Sequence, residues 1–246
     1  MNTDLMQIPR MIDISGVKTN VTLSELDDII DTAKKFRCIC AFAMPVFTPY
    51  LVSNLKDEPD IKVGGVVGFP SGADTTSIKT AAAKELLQMG VDELDMVINV
   101  GALKSGRLDM VYDDIRAVVE ASGSKPVKSI LEVCYLTDDE IKRASEIAVK
   151  AGVAYVKTGT GWGPKPTTVE NIRLIKSTIG DAARIKAAGG IRDLDTVLAM
   201  MDAGCSRFGI GVRSILGIMK EVYDRSGKPW PYGNEAGRSA ADGAKP

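Results

Sequence analysis

Two lysines and one aspartate stand in apolar segments, where a charged side chain is unusual. Lys157 follows the run "AYV", Lys186 lies in "ARIKAAGG", and Asp95 lies in "ELDMVINVG". An unpaired charge is costly to bury, so these side chains are expected to face one another or an open site. A lysine that is desolvated beside a second lysine loses its proton more easily. Its free amine can then attack a carbonyl carbon and form a Schiff base.

The same residues also have a purely structural interpretation. One lysine can pair with Asp95 or Glu132 as a buried ion pair, in which case Asp95 is only a salt-bridge acceptor. In the catalytic interpretation, Asp95 relays protons through water. Lys128 and Glu132 flank a nearby apolar segment, and we expect them to complete the charged cluster and tune its electrostatics without reacting.

Residue composition removes several kinds of chemistry. The chain has no histidine, which excludes Ser-His and Cys-His catalysis and every histidine metal site. Cys38 and Cys40 form the one close cysteine pair, and Cys134 and Cys205 stand apart from it. Packing in the core is therefore favoured over metal binding for the cysteines, and no metal site is expected.

Charge and hydropathy indicate the class of protein. The 246 residues carry a net charge of −1, and 45% of them are hydrophobic. No basic field favours nucleic acid or an anionic membrane. No apolar run is long enough to span a bilayer, and the start "MNTDLMQIPR" lacks signal-peptide features. We expect a soluble, cytoplasmic protein with neither nucleic acid nor membrane as a partner.

Eight short apolar segments rich in Val and Ile are typical of buried parallel strands. They occupy residues 10–15, 38–44, 62–70, 93–101, 127–134, 154–159, 183–190 and 206–212. Helical segments lie between them, at 77–90, 137–152 and 193–204, and a capping box from Thr22 to Glu25 begins another.

This alternation predicts an α/β fold, a single-domain (β/α)₈ barrel over residues 1–225. An open doubly wound sheet is the alternative, but it would require fewer units or a break in the rhythm. Residues 226–246 are rich in Gly, Pro, Ala and charge, which predicts a mobile C-terminal tail.

Three glycine-rich stretches follow the last three candidate strands. They are Gly159–Gly163, Gly189-Gly190 and Gly209-Ile-Gly211. Barrel enzymes often bind phosphate in the loops after strands seven and eight, through backbone N–H groups and a helix N-terminus. The glycines can equally serve only to make tight strand-to-helix turns.

Four of these motifs together resemble a known family. "GFPSGADTTSIK", "VDELDMVINVGALKSG", "VKTGTGWG" and "IKAAGGIR" are similar to the deoxyribose-phosphate aldolases of the DeoC family, in the same order along the chain. The resemblance implies a (β/α)₈ barrel and a class I aldolase that reversibly cleaves 2-deoxyribose 5-phosphate to acetaldehyde and glyceraldehyde 3-phosphate. It also implies no metal, no organic cofactor, and a homodimer or larger assembly.

The resemblance further implies roles for individual residues. Lys157 matches the Schiff-base lysine, and Lys186 matches the second lysine, which lowers the pKa of the first. Asp95 matches the aspartate that shuttles protons with that lysine and water. Asp13 and Ser15 match polar positions at strand one that contact the substrate.

The chain departs from the family pattern at strand eight, where the family usually has a serine pair. Here the sequence is Gly209-Ile-Gly211-Val-Arg213-Ser214. Arg213 is expected to grip the phosphate or another anion, or else to lie on a solvated helix face. The other expected substrate contacts are Thr160, Gly161, Gly189, Gly190, Gly209, Gly211 and Ser214. Tyr232, the one tyrosine of the tail, is not expected to take part in proton transfer.

Three alternative functions remain open at this stage. The altered strand-eight loop allows the same lysine chemistry on another aldehyde or on an unphosphorylated sugar. A catalytically silent sugar-phosphate sensor would keep the barrel without forming an imine. An isomerase with a carboxylate base would not depend on Lys157.

Overall fold

A computed structural model describes residues 4–232 as a closed barrel of eight parallel strands. Each strand pairs with the next along the chain, and the eighth pairs with the first. The strands are β1 (Ile12–Gly16), β2 (Cys40–Ala43), β3 (Lys62–Val67), β4 (Glu93–Val97), β5 (Val127–Ile130), β6 (Tyr155–Lys157), β7 (Arg184–Ala188) and β8 (Arg207–Ile210). The predicted barrel is confirmed, and the open sheet is ruled out.

Helices cover the outside of the barrel. They are α1 (Leu23–Phe36), α2 (Thr48–Leu55), α3 (Thr76–Gln88), α4 (Val100–Lys104), α5 (Leu108–Ser122), α6 (Asp138–Ala151), α7 (Val169–Ile179), α8 (Leu194–Asp202) and α9 (Val212–Arg225). Short 3₁₀ helices span Leu5–Met11, Pro45–Phe47 and Val133–Tyr135. None of the helices described within residues 4–232 is long and apolar enough to cross a membrane.

Local sequence signals fix where the helices begin and end. The Thr22 hydroxyl accepts a hydrogen bond from the Glu25 N–H, and the Glu25 carboxylate accepts one from the Thr22 N–H, so the predicted capping box is present. At the end of α3, Gly90 has a φ of +98°, which glycine adopts without strain. α1 connects β1 to β2 and α3 connects β3 to β4, and the two strands of each pair run in the same direction.

The strand register brings the charged residues of the sequence together. Lys157 on β6 is the register partner of Lys186 on β7, and Asp95 on β4 is the partner of Lys128 on β5. Successive side chains on a strand point to opposite faces, so the neighbours of these residues face the helices. Val156, for example, is buried in the apolar layer between strands and helices. The charged residues therefore lie inside the barrel, and the layer around the strands is apolar.

The chain after α9 packs at the amino-terminal end of the barrel. Trp230 and Tyr232 lie against Phe36, with ring centroids 5.7 and 5.9 Å apart respectively. Phe36 is the last residue of α1, which leads into the start of β2. Tyr232 thus lies at the end opposite to the carboxyl ends of the strands. The remainder of the predicted mobile tail, residues 233–246, lies outside the described residues.

A buried ion pair joins α3 to α5. Lys79 Nζ lies 2.5 Å from Asp114 Oδ2, and it also donates a 2.9 Å hydrogen bond to the Val97 carbonyl at the end of β4. Both side chains are almost fully buried. The pair fixes two helices to the strand that carries Asp95.

Replacing Lys79 by Ala is expected to lower the free energy of unfolding by about 3–5 kcal/mol, because Asp114 would be left buried and unpaired. Urea denaturation followed by circular dichroism measures this change. Lys220→Ala, which removes an exposed ion pair with Asp224 on α9, serves as the control and should leave the midpoint almost unchanged. Equal midpoints for the two variants would contradict the role given to the buried pair.

Candidate active site

The Asp95 carboxylate is shared by three lysines inside the barrel. Its Oδ2 accepts hydrogen bonds from Lys157 Nζ at 2.7 Å and from Lys186 Nζ at 2.6 Å. Its Oδ1 accepts one from Lys128 Nζ at 3.0 Å. Each of these side chains is at least nine-tenths buried. The structure thus brings together the two lysines and the aspartate that the sequence singled out, with Lys128, which was expected to complete the charged cluster.

A second layer of charge lies below this group. Asp13 on β1 forms an ion pair with Lys186, with Nζ 2.6 Å from Oδ2, and it also binds the Arg207 guanidinium. Arg207 reaches Glu93 Oε1 at 2.7 Å, and Lys128 Nζ reaches the same oxygen at 2.6 Å. Neither Glu93 nor Arg207 was identified from the sequence. Two positions separate Glu93 from Asp95 on β4, and this spacing was the available signal for their common face.

The charges of this buried cluster do not balance when every group is ionised. It contains four basic and three acidic side chains: Lys128, Lys157, Lys186 and Arg207 against Asp13, Glu93 and Asp95. Loss of one proton from a lysine makes the cluster neutral. Of the three lysines, Lys157 has the largest exposed fraction of side chain, 8%. It is therefore the group that can lose a proton and still meet a ligand.

The pKa values of these groups are shifted in opposite directions. Burial lowers the pKa of Lys157 to about 8; the Asp95 carboxylate opposes this shift, and repulsion by Lys186 and Lys128 adds to it. For Lys128, burial acts in the same direction, but attraction by Asp95, Asp13 and Glu93 prevails and raises its pKa. Burial raises the pKa of Asp95, yet the three lysines hold it well below the usual value. A lysine whose pKa is lowered to about 8 thus lies within hydrogen-bonding distance of a carboxylate that a second, strongly held ammonium keeps ionised.

A cavity of about 390 Å³ opens onto this cluster at the carboxyl ends of the strands. Twelve of the residues singled out from the sequence line it: Asp13, Ser15, Asp95, Lys157, Thr160, Gly161, Lys186, Gly189, Gly190, Gly209, Gly211 and Ser214. The loops after β6, β7 and β8 supply its glycine-rich side. The same residues therefore border both the amine of Lys157 and the backbone expected to hold a phosphate.

The opposite wall of the cavity is apolar. Val17, Phe42 and Val66 line it, and the Phe42 ring lies 4.4 Å from Lys186 Nζ and 4.9 Å from Lys128 Nζ. Gly64 on β3 makes room for this ring, because a Cβ atom at position 64 would overlap it. The aromatic face stabilises both ammonium groups and excludes water from one side of the cluster.

Of the placements left open for Arg213, the structure shows the solvated helix face. Arg213 is exposed in the first turn of α9 and does not line the cavity. Gly209, Ile210, Gly211 and Ser214 border the cavity at this place, whereas Val212 and Arg213, in the first turn of α9, do not. Arg192 lines it instead, from the loop after β7. Its position directly after "GGI" was the signal that could have identified it.

Glu132 was also wrongly placed in the charged cluster. It lies beyond the end of β5, with a left-handed φ of +57°, so the alternation that orients Lys128 does not apply to it. Its carboxylate accepts hydrogen bonds from the Thr160 N–H at 3.2 Å and from the Thr160 hydroxyl. Glu132 therefore holds the loop after β6 and pairs with none of the three lysines.

One group of side chains in residues 4–232 has the spacing of metal ligands. Asp13, Cys40 and Glu93 each offer an atom within 4.8 Å of the others. The Arg207 guanidinium already binds both of these carboxylates, and burial raises the pKa of the Cys40 thiol well above its usual value. The group is thus occupied by protein cations, and all four cysteines are free thiols.

Comparison with known proteins identifies the family. Residues 11–219 match the family model described as DeoC/LacD family aldolase. The chain belongs to this family. It is therefore an aldolase, a carbon–carbon lyase, and the resemblance noted in the sequence is confirmed.

Relatives in this family cover most of the chain. A deoxyribose-phosphate aldolase from Sinorhizobium medicae is 46% identical over 211 residues, which are 86% of this chain and 85% of the relative. One from Staphylococcus carnosus is 43% identical over 215 residues, 87% of this chain and 97% of the relative. Among solved structures, a Coccidioides immitis protein assigned as a deoxyribose-phosphate aldolase matches with a TM-score of 0.85 and 32% identity, over 88% of this chain and 86% of that chain. The aldolase QR15 matches with a TM-score of 0.83 and 34% identity, over 89% and 97%.

The cluster geometry predicts how fast Lys157 is acylated at each pH. Acetic anhydride reacts with the neutral amine, so the rate should rise with pH and level off above a midpoint near 8, compared with 10.5 for an ordinary lysine. In Lys186→Met, the repulsion between the lysines is lost while the attraction of Asp95 remains, so the midpoint should move upward. Peptide mass spectrometry after timed labelling measures both midpoints.

Lys142→Met is the matched control, because Lys142 is an exposed lysine on α6 that forms an ion pair with Asp139. It should leave the Lys157 midpoint where it is in the unchanged protein. A midpoint that stays the same or falls in Lys186→Met would contradict the electrostatic account of the site.

Proposed function

We propose that this aldolase reversibly cleaves 2-deoxyribose 5-phosphate to acetaldehyde and glyceraldehyde 3-phosphate through a Schiff base on Lys157. The observation that carries the proposal is the Lys157 amine, whose pKa is lowered to about 8, beside a carboxylate in an open cavity. The relatives named deoxyribose-phosphate aldolase support the substrate. The family supports the aldol chemistry.

In this mechanism, the Lys157 amine adds to the C1 aldehyde of the open-chain sugar and gives a carbinolamine. Loss of water then gives an iminium ion. The C3 hydroxyl yields its proton through water to Asp95, the C2–C3 bond breaks, and the iminium takes up the electron pair as an enamine. Glyceraldehyde 3-phosphate leaves at this point. Protonation of the enamine carbon and hydrolysis of the new iminium release acetaldehyde and the free amine.

Lys186 and Asp95 act together in the proton transfers. Lys186 Nζ donates a 2.6 Å hydrogen bond to Asp95 Oδ2, and Lys157 Nζ donates one of 2.7 Å to the same oxygen. A proton that Asp95 accepts can pass to water or to the leaving hydroxyl of the carbinolamine without crossing the cavity. Lys128, held as an ammonium by three carboxylates, keeps Asp95 ionised and does not react.

We place the phosphate on the glycine-rich side of the cavity. Gly189, Gly190 and Gly211 border it, and α9 begins directly after Gly211 with no side-chain cap on its first N–H groups. Free N–H groups at a helix N-terminus favour an anion. The Ser214 hydroxyl would add a hydrogen-bond donor, and the Arg192 guanidinium would add a positive charge. Together they would take the role of the serine pair that the family usually has after strand eight.

A second candidate function keeps the imine but changes the substrate. The observation that favours it is the same loop, because Gly211 and Val212 carry no hydroxyl where the family usually has two serines. In that case the enzyme would act on an unphosphorylated sugar or a different aldehyde. A silent sensor is disfavoured, because a protein that only binds the sugar needs no lysine with a pKa lowered to about 8. A homo-oligomeric state and a cytoplasmic location remain predictions.

Acetaldehyde release from 2-deoxyribose 5-phosphate and from 2-deoxyribose, measured side by side in a coupled alcohol dehydrogenase assay, tests the proposal. We expect the phosphorylated sugar to be cleaved with the higher kcat/KM. Lys157→Ala should abolish cleavage of both sugars, because no other described side chain forms the imine. Cleavage of either sugar by Lys157→Ala would contradict the mechanism.

Arg192→Met separates the phosphate site from the chemistry. It should raise KM for the phosphorylated sugar by roughly tenfold or more, as expected for loss of one charge-assisted contact, and leave kcat/KM for the free sugar unchanged. Arg173→Met, on the exposed face of α7, is the matched control. A higher kcat/KM for the free sugar in the unchanged protein would favour the second candidate.

A further inference from the structure

Lys18 is a basic residue of the cavity that takes no part in the aldol chemistry. It lies in the loop after β1 and lines the cavity that holds the Lys157 amine. Four basic residues within the described part of the chain line this cavity: Lys18, Lys157, Lys186 and Arg192. Lys157 and Lys186 belong to the buried charged cluster around Asp95. The charge of Lys18, like that of Arg192, is therefore available to a ligand.

The backbone at Lys18 is held on both sides. The carbonyl of Val17 accepts a 2.8 Å hydrogen bond from the indole N–H of Trp162, in the loop after β6. The carbonyl of Lys18 itself accepts a 3.5 Å hydrogen bond from the Val21 N–H, which closes a turn ahead of α1. These two contacts keep the start of the Lys18 side chain at the rim of the cavity.

The strand order places Lys18 beside the expected phosphate position. Because β8 pairs with β7 on one side and with β1 on the other, the loop after β8 lies between the loops after β7 and β1. A Cβ atom at Gly211 would lie 3.8 Å from the carbonyl oxygen of Ser15, the residue before the end of β1. A phosphate at Gly211, where α9 begins, thus has Arg192 on one flank and Lys18 on the other.

The charge of the substrate matches two cations. A phosphate monoester has a second pKa near 6 and carries a charge of about −1.5 to −2 at pH 7. The buried cluster is neutral once Lys157 has lost its proton, so it has no excess charge to offset the phosphate. Arg192 supplies one positive charge at the cavity, and Lys18 supplies the second.

Glu25 holds Lys18 by a contact that a phosphate can replace. Lys18 Nζ lies 3.2 Å from Glu25 Oε1, and the two side chains are 62% and 43% exposed. An exposed ion pair contributes little free energy, so an anion of higher charge can displace the carboxylate. The other oxygen of Glu25, Oε2, accepts a 2.9 Å hydrogen bond from the Thr22 N–H in the capping box of α1. Glu25 therefore keeps its position when Lys18 leaves it.

We propose that Lys18 is the second cation of the phosphate site, and that it exchanges Glu25 for the phosphate when the sugar binds. This inference rests on the proposed aldolase function. Lys18 determines specificity, because it contacts the phosphate and none of the atoms that react at Lys157. Glu25 is a positioning residue, which keeps the ammonium group at the rim and competes weakly with the phosphate.

The test measures the ratio of kcat/KM for 2-deoxyribose 5-phosphate to kcat/KM for 2-deoxyribose. Lys18→Met removes the charge and keeps most of the apolar stem. The ratio should fall by about tenfold, the lower end of the range for a hydrogen bond to a charged group, since Lys18 also gives up Glu25. The change should appear in KM for the phosphorylated sugar rather than in kcat. Lys18→Arg keeps the charge and should retain most of the ratio.

Glu25→Gln tests the exchange. Glutamine still accepts the Thr22 N–H of the capping box, but it carries no charge that competes for Lys18. The ratio should rise by up to about fivefold, as expected for loss of an exposed ion pair. In the double variant with Lys18→Met, Glu25→Gln should have no further effect, because Glu25 acts through Lys18.

Lys104 and Glu140 provide the matched control. Their side chains form an equivalent ion pair at 3.1 Å, and Glu140 likewise belongs to a capping box, with Thr137 at the start of α6. Neither residue lines the cavity. Lys104→Met and Glu140→Gln should therefore leave the ratio unchanged. Thermal denaturation checks that each variant is folded.

The outcomes separate this inference from the proposed function. No cleavage of the phosphorylated sugar by the unchanged protein would overturn both. Cleavage by the unchanged protein, with the same ratio in Lys18→Met, would overturn the inference alone. A fall in Lys104→Met as large as that in Lys18→Met would overturn it as well, because the effect would then not come from the cavity. A rise in Glu25→Gln that persists in the double variant would contradict the exchange.

Discussion

The interaction on which this site depends is the competition of three lysines for one buried carboxylate. Asp95 cannot neutralise Lys128, Lys157 and Lys186 at once, so one of the lysines must carry its proton weakly. Lys128 is held by three carboxylates, and Lys186 is shared by Asp13 and Asp95. Lys157 has Asp95 alone among the described carboxylates, and it faces the cavity. Because Lys157 has fewer carboxylate partners than Lys128 or Lys186, it is the lysine that can act as the nucleophile.

The barrel is what makes so dense a cluster of charge tolerable. Its residues come from β1, β4, β5, β6, β7 and β8, and the closed sheet fixes each strand relative to the next. Arg207 and Glu93 complete the lower layer, so that every carboxylate of the cluster has a cation and the cost of burial is offset. The apolar layer between strands and helices, with the Lys79–Asp114 pair inside it, keeps this geometry rigid. Preorganised charge of this kind needs little rearrangement during a reaction.

Much of the fold was readable from the sequence, because eight Val- and Ile-rich segments alternate with capped helices. Lys157, Lys186 and Asp95 were also readable, since each interrupts an apolar run. Arg207 was not, because "SRF" reads as a polar strand start, and only closure of β8 onto β1 brings it to Asp13. Glu132 was misplaced because strand alternation ends before it, in a left-handed turn. The placement of Arg213 stayed open because only the start of α9 at Val212 decides that it faces outward, and Arg192 was not singled out at all.

The central claim is that Lys157, and neither of its two lysine neighbours, forms the covalent intermediate. Sodium borohydride reduction in the presence of 2-deoxyribose 5-phosphate, followed by peptide mapping with mass spectrometry, measures this directly. The account predicts a reduced adduct on Lys157 and none on Lys128 or Lys186. An adduct on Lys186, or the absence of any adduct while the sugar is being cleaved, would contradict it.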